Sequence, residues 1–172
     1  CGMLPACSEA LTPEVSFHWM TPTMDYPDIS DGWRKLAMKF HAVSGLCGEV
    51  FIGYGSEALV YELKGDPAKV IRFSLCPSRP AKKLVGKTLK RFVKVYAVDE
   101  LVIEGKVIHY EVMERLPTKV TEDEFDWDDC NPIKEELRDY GLGIGDLWEE
   151  NVMRNHDGDI VGIDPGGLYN VS

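Results

Sequence analysis

Residues 48–75 read GEVFIGYGSEALVYELKGDPAKVIRFSL, and this stretch decides the class of fold. It contains three short runs rich in β-branched and aromatic residues, which are the residue types enriched in strands. The runs are separated by Gly53-Tyr54-Gly55-Ser56 and by Gly65-Asp66-Pro67, and both are typical of turns. The pattern predicts three antiparallel strands joined by two hairpin turns.

Two further runs extend the predicted sheet to five strands. The sequences FVKVYAVDEL and KVIHYEVMERL are rich in the same residue types and are separated by Glu104-Gly105, a dipeptide suited to a hairpin turn. Before them, the basic stretch 78–91 and its continuation place Leu84, Leu89 and Phe92 roughly in helical register. We therefore predict one helix inserted between the third and the fourth strand.

Two helices are predicted outside the sheet. The sequence DGWRKLAMKFHAVSG places its apolar residues on one helical face, with Asp31 as the N-cap and Gly45 just beyond the end. Later in the chain, Asn131 is a suitable N-cap, Pro132 occupies the first helical position and Gly141 ends the segment. Together with the strands, these helices predict an α+β fold.

Composition and charge limit the classes of partner. The chain of 172 residues is 44% hydrophobic, which is enough to bury a core, and its formal net charge is −10. That charge repels nucleic acid and anionic membranes, so we expect neither as a partner. The cysteines are odd in number and scattered, which is typical of a reducing cytoplasm, and no apolar run approaches the roughly 18 residues of a membrane helix.

The distribution of prolines and motifs predicts three regions. Residues 1–45 begin with a proline-rich arm and end in the first helix. Residues 46–116 hold the predicted sheet, and residues 117–172 form a smaller C-terminal region.

The first predicted hairpin and the third strand carry groups suited to phosphate. Glycines at 53 and 55 let backbone N–H groups approach phosphate oxygens without interference from a Cβ atom. In the third strand, Val70 and Arg72 share one face, which places an apolar surface for a purine beside a cation. The plainer interpretations are an ordinary glycine turn and a solvent-exposed arginine.

The C-terminal segment GIGDLWEENVMRNHDGDIVGIDPGG carries three oxygen-bearing side chains, and residues 156–159 predict a tight hairpin turn within it. Asn151 and Asp164 supply the oxygen ligands that Mg²⁺ prefers when phosphates complete its coordination. Asp146 is then left to receive the proton of a nucleophile. The alternative is that these side chains only cap turns.

These motifs resemble the protein kinase-like superfamily, which includes the aminoglycoside and choline type kinases. GIGDLWEENVM is similar to the catalytic loop, and GIDPGG is similar to the Asp-Phe-Gly segment with Pro165 in place of Phe. IGYGSEALVYEL resembles the Gly-rich loop, VIRF the strand that carries the ATP-binding Lys, and YEVMERL the last strand and hinge. The resemblance covers about residues 48–168 and implies a five-stranded N-lobe sheet with one helix and a much reduced C-lobe.

The resemblance also implies a set of site residues for ATP and Mg²⁺. Asp146 would orient or deprotonate the acceptor hydroxyl, while Asn151 and Asp164 would hold Mg²⁺ against the phosphates. The implied cofactor-binding residues are Gly53, Gly55, Ser56, Val60, Val70, Arg72, Met113, Glu114 and Leu116. Among these, Met113 takes the gatekeeper position, and Glu114 and Leu116 offer backbone groups to adenine.

The chain departs from the family pattern at several points. Arg72 stands where the family has Lys, and a planar guanidinium does not present the same compact charge. No Asp or Glu occurs from 77 through 98, so the predicted inserted helix has no acid to pair with it. Only eight residues (172 − 164) follow Asp164, from which we expect specificity to come from the N-terminal arm, a partner protein or a second copy of the chain in a homodimer.

Two functions from different classes follow from these observations. The first is an ATP-dependent phosphotransferase acting on a hydroxyl, with protein Ser or Thr favoured over a small molecule, and transfer of another nucleotide fragment such as AMP would use the same oxygens. The second is an inactive pseudokinase that binds or inhibits a partner. The acidic run at 122–129 could attract a basic substrate or simply be solvated, and the basic stretch 78–91 could dock an acidic partner or simply be solvated.

Overall fold

The computed structural model describes residues 30–54, 58–145 and 147–172, and its largest element is a five-stranded antiparallel sheet. The strand order is β1-β2-β3-β5-β4. The strands are β1 (Cys47–Tyr54), β2 (Ala58–Leu63), β3 (Asp66–Ser74), β4 (Val95–Ile103) and β5 (Lys106–Glu114). The predicted α+β class and the five antiparallel strands are confirmed.

The two described hairpin turns of this sheet differ in how well the sequence predicted them. Glu104 and Gly105 have φ values of 51° and 74°, the left-handed conformations that a two-residue hairpin turn requires, so that prediction is confirmed. The turn between β2 and β3 lies at Lys64 and Gly65, whereas Asp66 and Pro67 already belong to β3. Proline is tolerated there because the first residues of a strand need not donate to the ladder.

The predicted inserted helix is wrong in extent. Only Arg79–Leu84 is helical, as a short 3₁₀-helix, and the chain beyond it is irregular apart from single β-bridges. Its backbone groups bond elsewhere: the N–H groups of Lys90 and Arg91 donate to the carboxylate of Glu136 at 2.7 and 2.6 Å. Because these bonds and the burial of its apolar side chains stabilise the segment, it does not need a helical ladder.

One helix covers the face of the sheet that lies away from the C-terminal region. Helix α1 (Asp31–Ser44) has Ser30 rather than the predicted Asp31 as its N-cap, with the Ser30 hydroxyl accepting from the Trp33 N–H at 3.2 Å. Gly45, with φ of 64°, ends the helix as predicted. The helix packs Phe40 against Phe73 of β3, with ring centroids 4.3 Å apart. The proline-rich arm at 1–29 lies outside the described residues.

The C-terminal region consists of short elements. They are β6 (Thr118–Lys119), α2 (Cys130–Arg138), β7 (Leu142–Ile144), β8 (Val152–Arg154), β9 (Ile160–Gly162) and β10 (Leu168–Asn170), with 3₁₀-helices at Glu122–Glu124, Trp127–Asp129, Glu149–Asn151 and Pro165–Gly167. Strands β8 and β9 pair antiparallel, which confirms the predicted hairpin. Helix α2 starts before the predicted cap: Asp129 is its N-cap and Asn131 is already helical.

A second core joins this region to the other face of the sheet. It combines Val70 and Met113 from the sheet with Ile133 of α2 and Leu168 of β10. The sheet is therefore buried on both faces, by α1 on one side and by the C-terminal region on the other. Within the described ranges, no helix has the length and apolar character needed to cross a membrane.

Candidate functional site

A cleft of about 1150 Å³ lies between the sheet and the C-terminal region. Every predicted site residue that falls within the described ranges lines this cleft, although these residues come from well-separated parts of the chain. They are Gly53, Val60, Val70, Arg72, Met113, Glu114, Leu116, Asn151 and Asp164. The remaining predicted residues, Gly55, Ser56 and Asp146, lie outside the described residues.

Strand alternation builds the apolar wall of the cleft. Val60 pairs with Arg72 across β2 and β3, and Val70 pairs with Met113 across β3 and β5, so these side chains share one face of the sheet. Val70 and Met113 are almost fully buried. Leu59 and Ile71 alternate with Val60 and Val70 along β2 and β3, so they point to the opposite face, where they belong to the core that includes α1. A flat aromatic ligand would therefore meet aliphatic surface next to a cation.

The C-terminal end of β5 differs from the prediction in the backbone groups that it leaves available. The backbone N–H of Glu114 donates to the carbonyl of Lys94 at 3.0 Å, and that of Arg115 donates to the carbonyl of Ala68 at 2.9 Å. The N–H group of Glu114 is therefore not available to an adenine ring, and only its carbonyl group is left for that role. Leu116 follows at the wall of the same cleft.

Arg72 bridges two carboxylates at the base of the cleft. Its Nη1 donates to Oε2 of Glu111 at 3.2 Å, and its Nη2 lies 3.0 Å from Oδ1 of Asp164. The arginine side chain is only 14% exposed and that of Glu111 is fully buried, so water screens these ion pairs weakly. Arg72 thus links the sheet to the turn that carries Asp164.

Glu111 is a site residue that the sequence analysis missed. It lies on β5 directly opposite Arg72. Burial raises the pKa of its carboxyl, while the charge of Arg72 opposes that shift. A signal was available in HYEVMERL, where an acidic residue shares a strand face with Met113.

A tight turn positions Asp164. Its Oδ1 accepts from the N–H of Gly166 at 3.0 Å and caps the 3₁₀-helix Pro165–Gly167. A Cβ atom on Gly166 would lie 2.8 Å from Nη2 of Arg72, so the close approach of the guanidinium requires glycine here. The turn-capping interpretation is therefore correct for Asp164, and the same oxygen also binds the arginine.

Backbone pairing brings Asn151 next to Asp164. The N–H of Ile163 donates to the carbonyl of Asn151 at 3.0 Å, which continues the pairing of β8 with β9. The chain just before Asp146 approaches the same turn, since the N–H of Gly145 donates to the carbonyl of Gly167 at 3.0 Å. Gly145 and Asn151 therefore both lie beside the turn that carries Asp164.

The predicted Mg²⁺ site would consist of two oxygen-bearing side chains. Among the described residues, no group of three or more His, Cys, Asp or Glu side chains is arranged to hold a metal ion. One carboxylate and one amide oxygen fit Mg²⁺, which keeps several waters and takes further ligands from phosphates. Asn151 and Asp164 are the residues that would hold it.

Neither the models of known protein families nor the curated proteins contain a match to this chain.

Proposed function

We propose that this chain is a compact kinase-like enzyme that transfers the γ-phosphate of ATP, with Mg²⁺, to a hydroxyl group, with protein Ser or Thr as the favoured acceptor. The observation that carries the proposal is the convergence in one cleft of the described residues predicted from separate motifs. Strand pairing alone accounts for the residues of the sheet, so the informative part is that Asn151 and Asp164, from the C-terminal region, line the same cleft.

The sheet supports the same proposal. In protein kinases the phosphate-binding cation lies on the third strand of the sheet and pairs with a glutamate. Here Arg72 lies on β3 and pairs with Glu111. The pair is formed inside the sheet, which explains how this chain would do without an acid on an inserted helix.

Each residue has a role in the proposed reaction. The adenine ring packs between Val60, Val70 and Met113, and one guanidinium edge of Arg72 binds phosphate oxygens. Asn151 and Asp164 would hold the metal, which would neutralise charge on the phosphates. Asp146 accepts the proton of the acceptor hydroxyl as that oxygen attacks the γ-phosphorus and ADP leaves.

Nucleotide binding is tested first by thermal unfolding. Mg²⁺ and ATP at a hundredfold excess over Kd should stabilise the wild-type chain by about 2.7 kcal/mol. Asp164→Ala should reduce this shift because it removes a metal ligand. Asp157→Ala, an exposed carboxylate in the β8–β9 turn, is the matched control and should keep the full shift.

Transfer is tested next with labelled γ-phosphate and a pool of Ser- and Thr-containing peptides. Asp146→Ala should lower the rate by on the order of 10²- to 10⁴-fold, the effect expected for a lost general base. Transfer at the wild-type rate in this variant would remove Asp146 from the mechanism.

One observation favours the pseudokinase alternative. Arg72 is already held by two carboxylates, so ATP must compete with Asp164 for its guanidinium. If ATP at millimolar concentration produces no thermal shift with or without Mg²⁺, the cleft serves as a structural element and the chain acts by binding a partner.

A further inference from the structure

Two tryptophans form an exposed aromatic surface in the C-terminal region. Trp127 is 56% exposed and Trp148 is 53% exposed, and their rings lie 5.0 Å apart at an interplanar angle of 77°. Phe125 extends the edge-to-face cluster, with its ring centroid 5.3 Å from that of Trp127 at an interplanar angle of 73°. Large aromatic side chains are seldom left this exposed together unless they bind something.

Short turns hold these rings in place. Trp127 begins a 3₁₀-helix that is capped by Asp126, whose carboxylate accepts from the N–H of Asp128 at 3.0 Å. The carbonyl of Trp148 accepts from the N–H of Asn151 at 2.9 Å, which fixes the turn that follows it. Because the backbone is already ordered, a ligand that stacks on the rings loses little affinity to the ordering of this surface.

Carboxylates flank Trp127 in the chain, and we call the acidic residues of 122–129 the acidic rim. Residues 122–129 contain no Lys or Arg, and their acidic side chains are mostly exposed: Glu122, Asp123, Glu124, Asp126, Asp128 and Asp129. Within the part of the chain that the structure describes, none of these carboxylates forms an ion pair with a basic side chain. The rim therefore keeps its negative potential for a partner.

This surface lies beside the mouth of the cleft. Glu150 and Asn151 line the cleft, and a chain advances at most about 3.6 Å per residue, so Trp148 is within about 7 Å of Glu150 along the backbone. Lys119, just before the acidic run, lines the cleft as well.

We propose that Trp127 and Trp148, with their acidic rim, bind a Lys or Arg side chain of the protein substrate, so that a Ser or Thr a few residues away reaches the cleft. The cation packs on the indole faces, which attract it through the ring quadrupole, while the carboxylates attract it from a distance. This inference rests on the proposed function for its second half, the delivery of a hydroxyl, but not for the binding itself.

The test measures binding by fluorescence anisotropy with a labelled peptide that contains two Arg residues followed by Ser, and with a counterpart in which Gln replaces both Arg. The Arg peptide should bind at least about tenfold more tightly than the Gln peptide. The double variant Trp127→Ala/Trp148→Ala should lose about tenfold for the Arg peptide, whereas Trp127→Phe/Trp148→Phe should keep most of the affinity because it retains the aromatic faces. Equal binding of the two peptides, or unchanged binding by the Ala variant, overturns the proposal.

A triple variant of the acidic rim tests the proposal even if the Ala variant fails to fold. Glu122→Gln/Asp123→Asn/Asp128→Asn leaves the rings in place and should weaken binding of the Arg peptide and reduce its dependence on salt. Binding that is unaffected by these substitutions excludes the acidic rim and overturns the proposal.

Failure of this inference can be distinguished from failure of the proposed function. The anisotropy measurement needs no nucleotide, and the thermal shift with ATP needs no peptide. Selective binding of the Arg peptide without an ATP shift supports the surface and rejects the phosphotransferase. An ATP shift without selective peptide binding supports nucleotide binding in the cleft and rejects the aromatic surface as a peptide site.

Discussion

The sheet and the C-terminal region build their parts of the cleft in different ways. The strands of the sheet are six to nine residues long and pair in long antiparallel ladders with a few register shifts, whereas the C-terminal strands are two or three residues long and alternate with 3₁₀-helices. The sheet supplies the apolar wall and Arg72, and the short elements supply Asn151 and Asp164. Regular structure thus positions the apolar wall of the cleft, and turns position its oxygen-bearing side chains.

The contrast also concerns how each region is stabilised. The sheet buries large aromatic side chains under α1, while the C-terminal region buries mainly aliphatic side chains in the core that it shares with the sheet and adds caps and glycine turns. Variants in the two regions should therefore differ in the size and the kind of their effects.

The largest expected effect is in the core under α1. Phe73→Ala should lower the free energy of unfolding by about 3–5 kcal/mol, because Phe73 is fully buried and stacks on Phe40. Denaturant unfolding measures this effect. Val102→Ala in β4, which is 64% exposed, is the control and should change stability by less than about 0.5 kcal/mol. A small effect of Phe73→Ala would contradict the conclusion that the aromatic core under α1 stabilises the sheet.

The ion pair that joins the two regions comes next. Arg72→Met leaves Glu111 as a buried charge without compensation and should cost on the order of 3 kcal/mol at neutral pH. The double variant Arg72→Met/Glu111→Gln removes that charge and should recover most of the loss. If the double variant is as unstable as the single one, the cost comes from packing and not from charge.

The stability of the single variant Arg72→Met should also depend on pH. Burial raises the pKa of Glu111 above its value in the unfolded chain, and removal of Arg72 removes the attraction that opposes this rise. A group with a raised pKa contributes its full stability below the unfolded pKa and loses it as pH rises through the folded pKa. Arg72→Met should therefore be closer to wild-type stability at about pH 5 than at about pH 8, as unfolding at the two pH values would show. A loss that is the same at both values would exclude Glu111 as its source.

A smaller effect is expected from the turn that carries Asp164. Gly166→Ala places a Cβ atom against the guanidinium of Arg72 and should cost about 1–3 kcal/mol, with weaker binding of ATP. Gly53→Ala is the matched variant, because a Cβ atom there meets nothing within 4 Å among the described residues. It should preserve stability, and weaker nucleotide binding by Gly53→Ala would show that the hairpin contacts the phosphates.

The smallest expected effects concern caps. Ser30→Ala removes the side chain that accepts from the Trp33 N–H and should cost about 1 kcal/mol in thermal or denaturant unfolding. Thr121→Ala removes half of a capping box in the C-terminal region and should cost a similar amount. If Thr121→Ala also loosens the Trp127–Trp148 surface, peptide binding by the variant should fall while ATP binding stays unchanged.

The sequence predicted the sheet well because its signals are local. Strand runs, the Glu104-Gly105 turn and the turn at 156–159 each depend on neighbouring residues and their φ preferences. The inserted helix was predicted by the same local criterion and was wrong, because Glu136 and Gly162 bind the backbone of that segment from distant parts of the chain.

The sequence by itself determined the α+β class, the five antiparallel strands and the order of the motifs, because residue type and period set the local conformation and the buried face. Only the tertiary structure decided that Arg72 would bind both Glu111 and Asp164, and that Trp127 and Trp148 would meet edge-to-face. Such contacts join residues far apart in the chain, and their geometry depends on how complete elements pack, which no local pattern encodes.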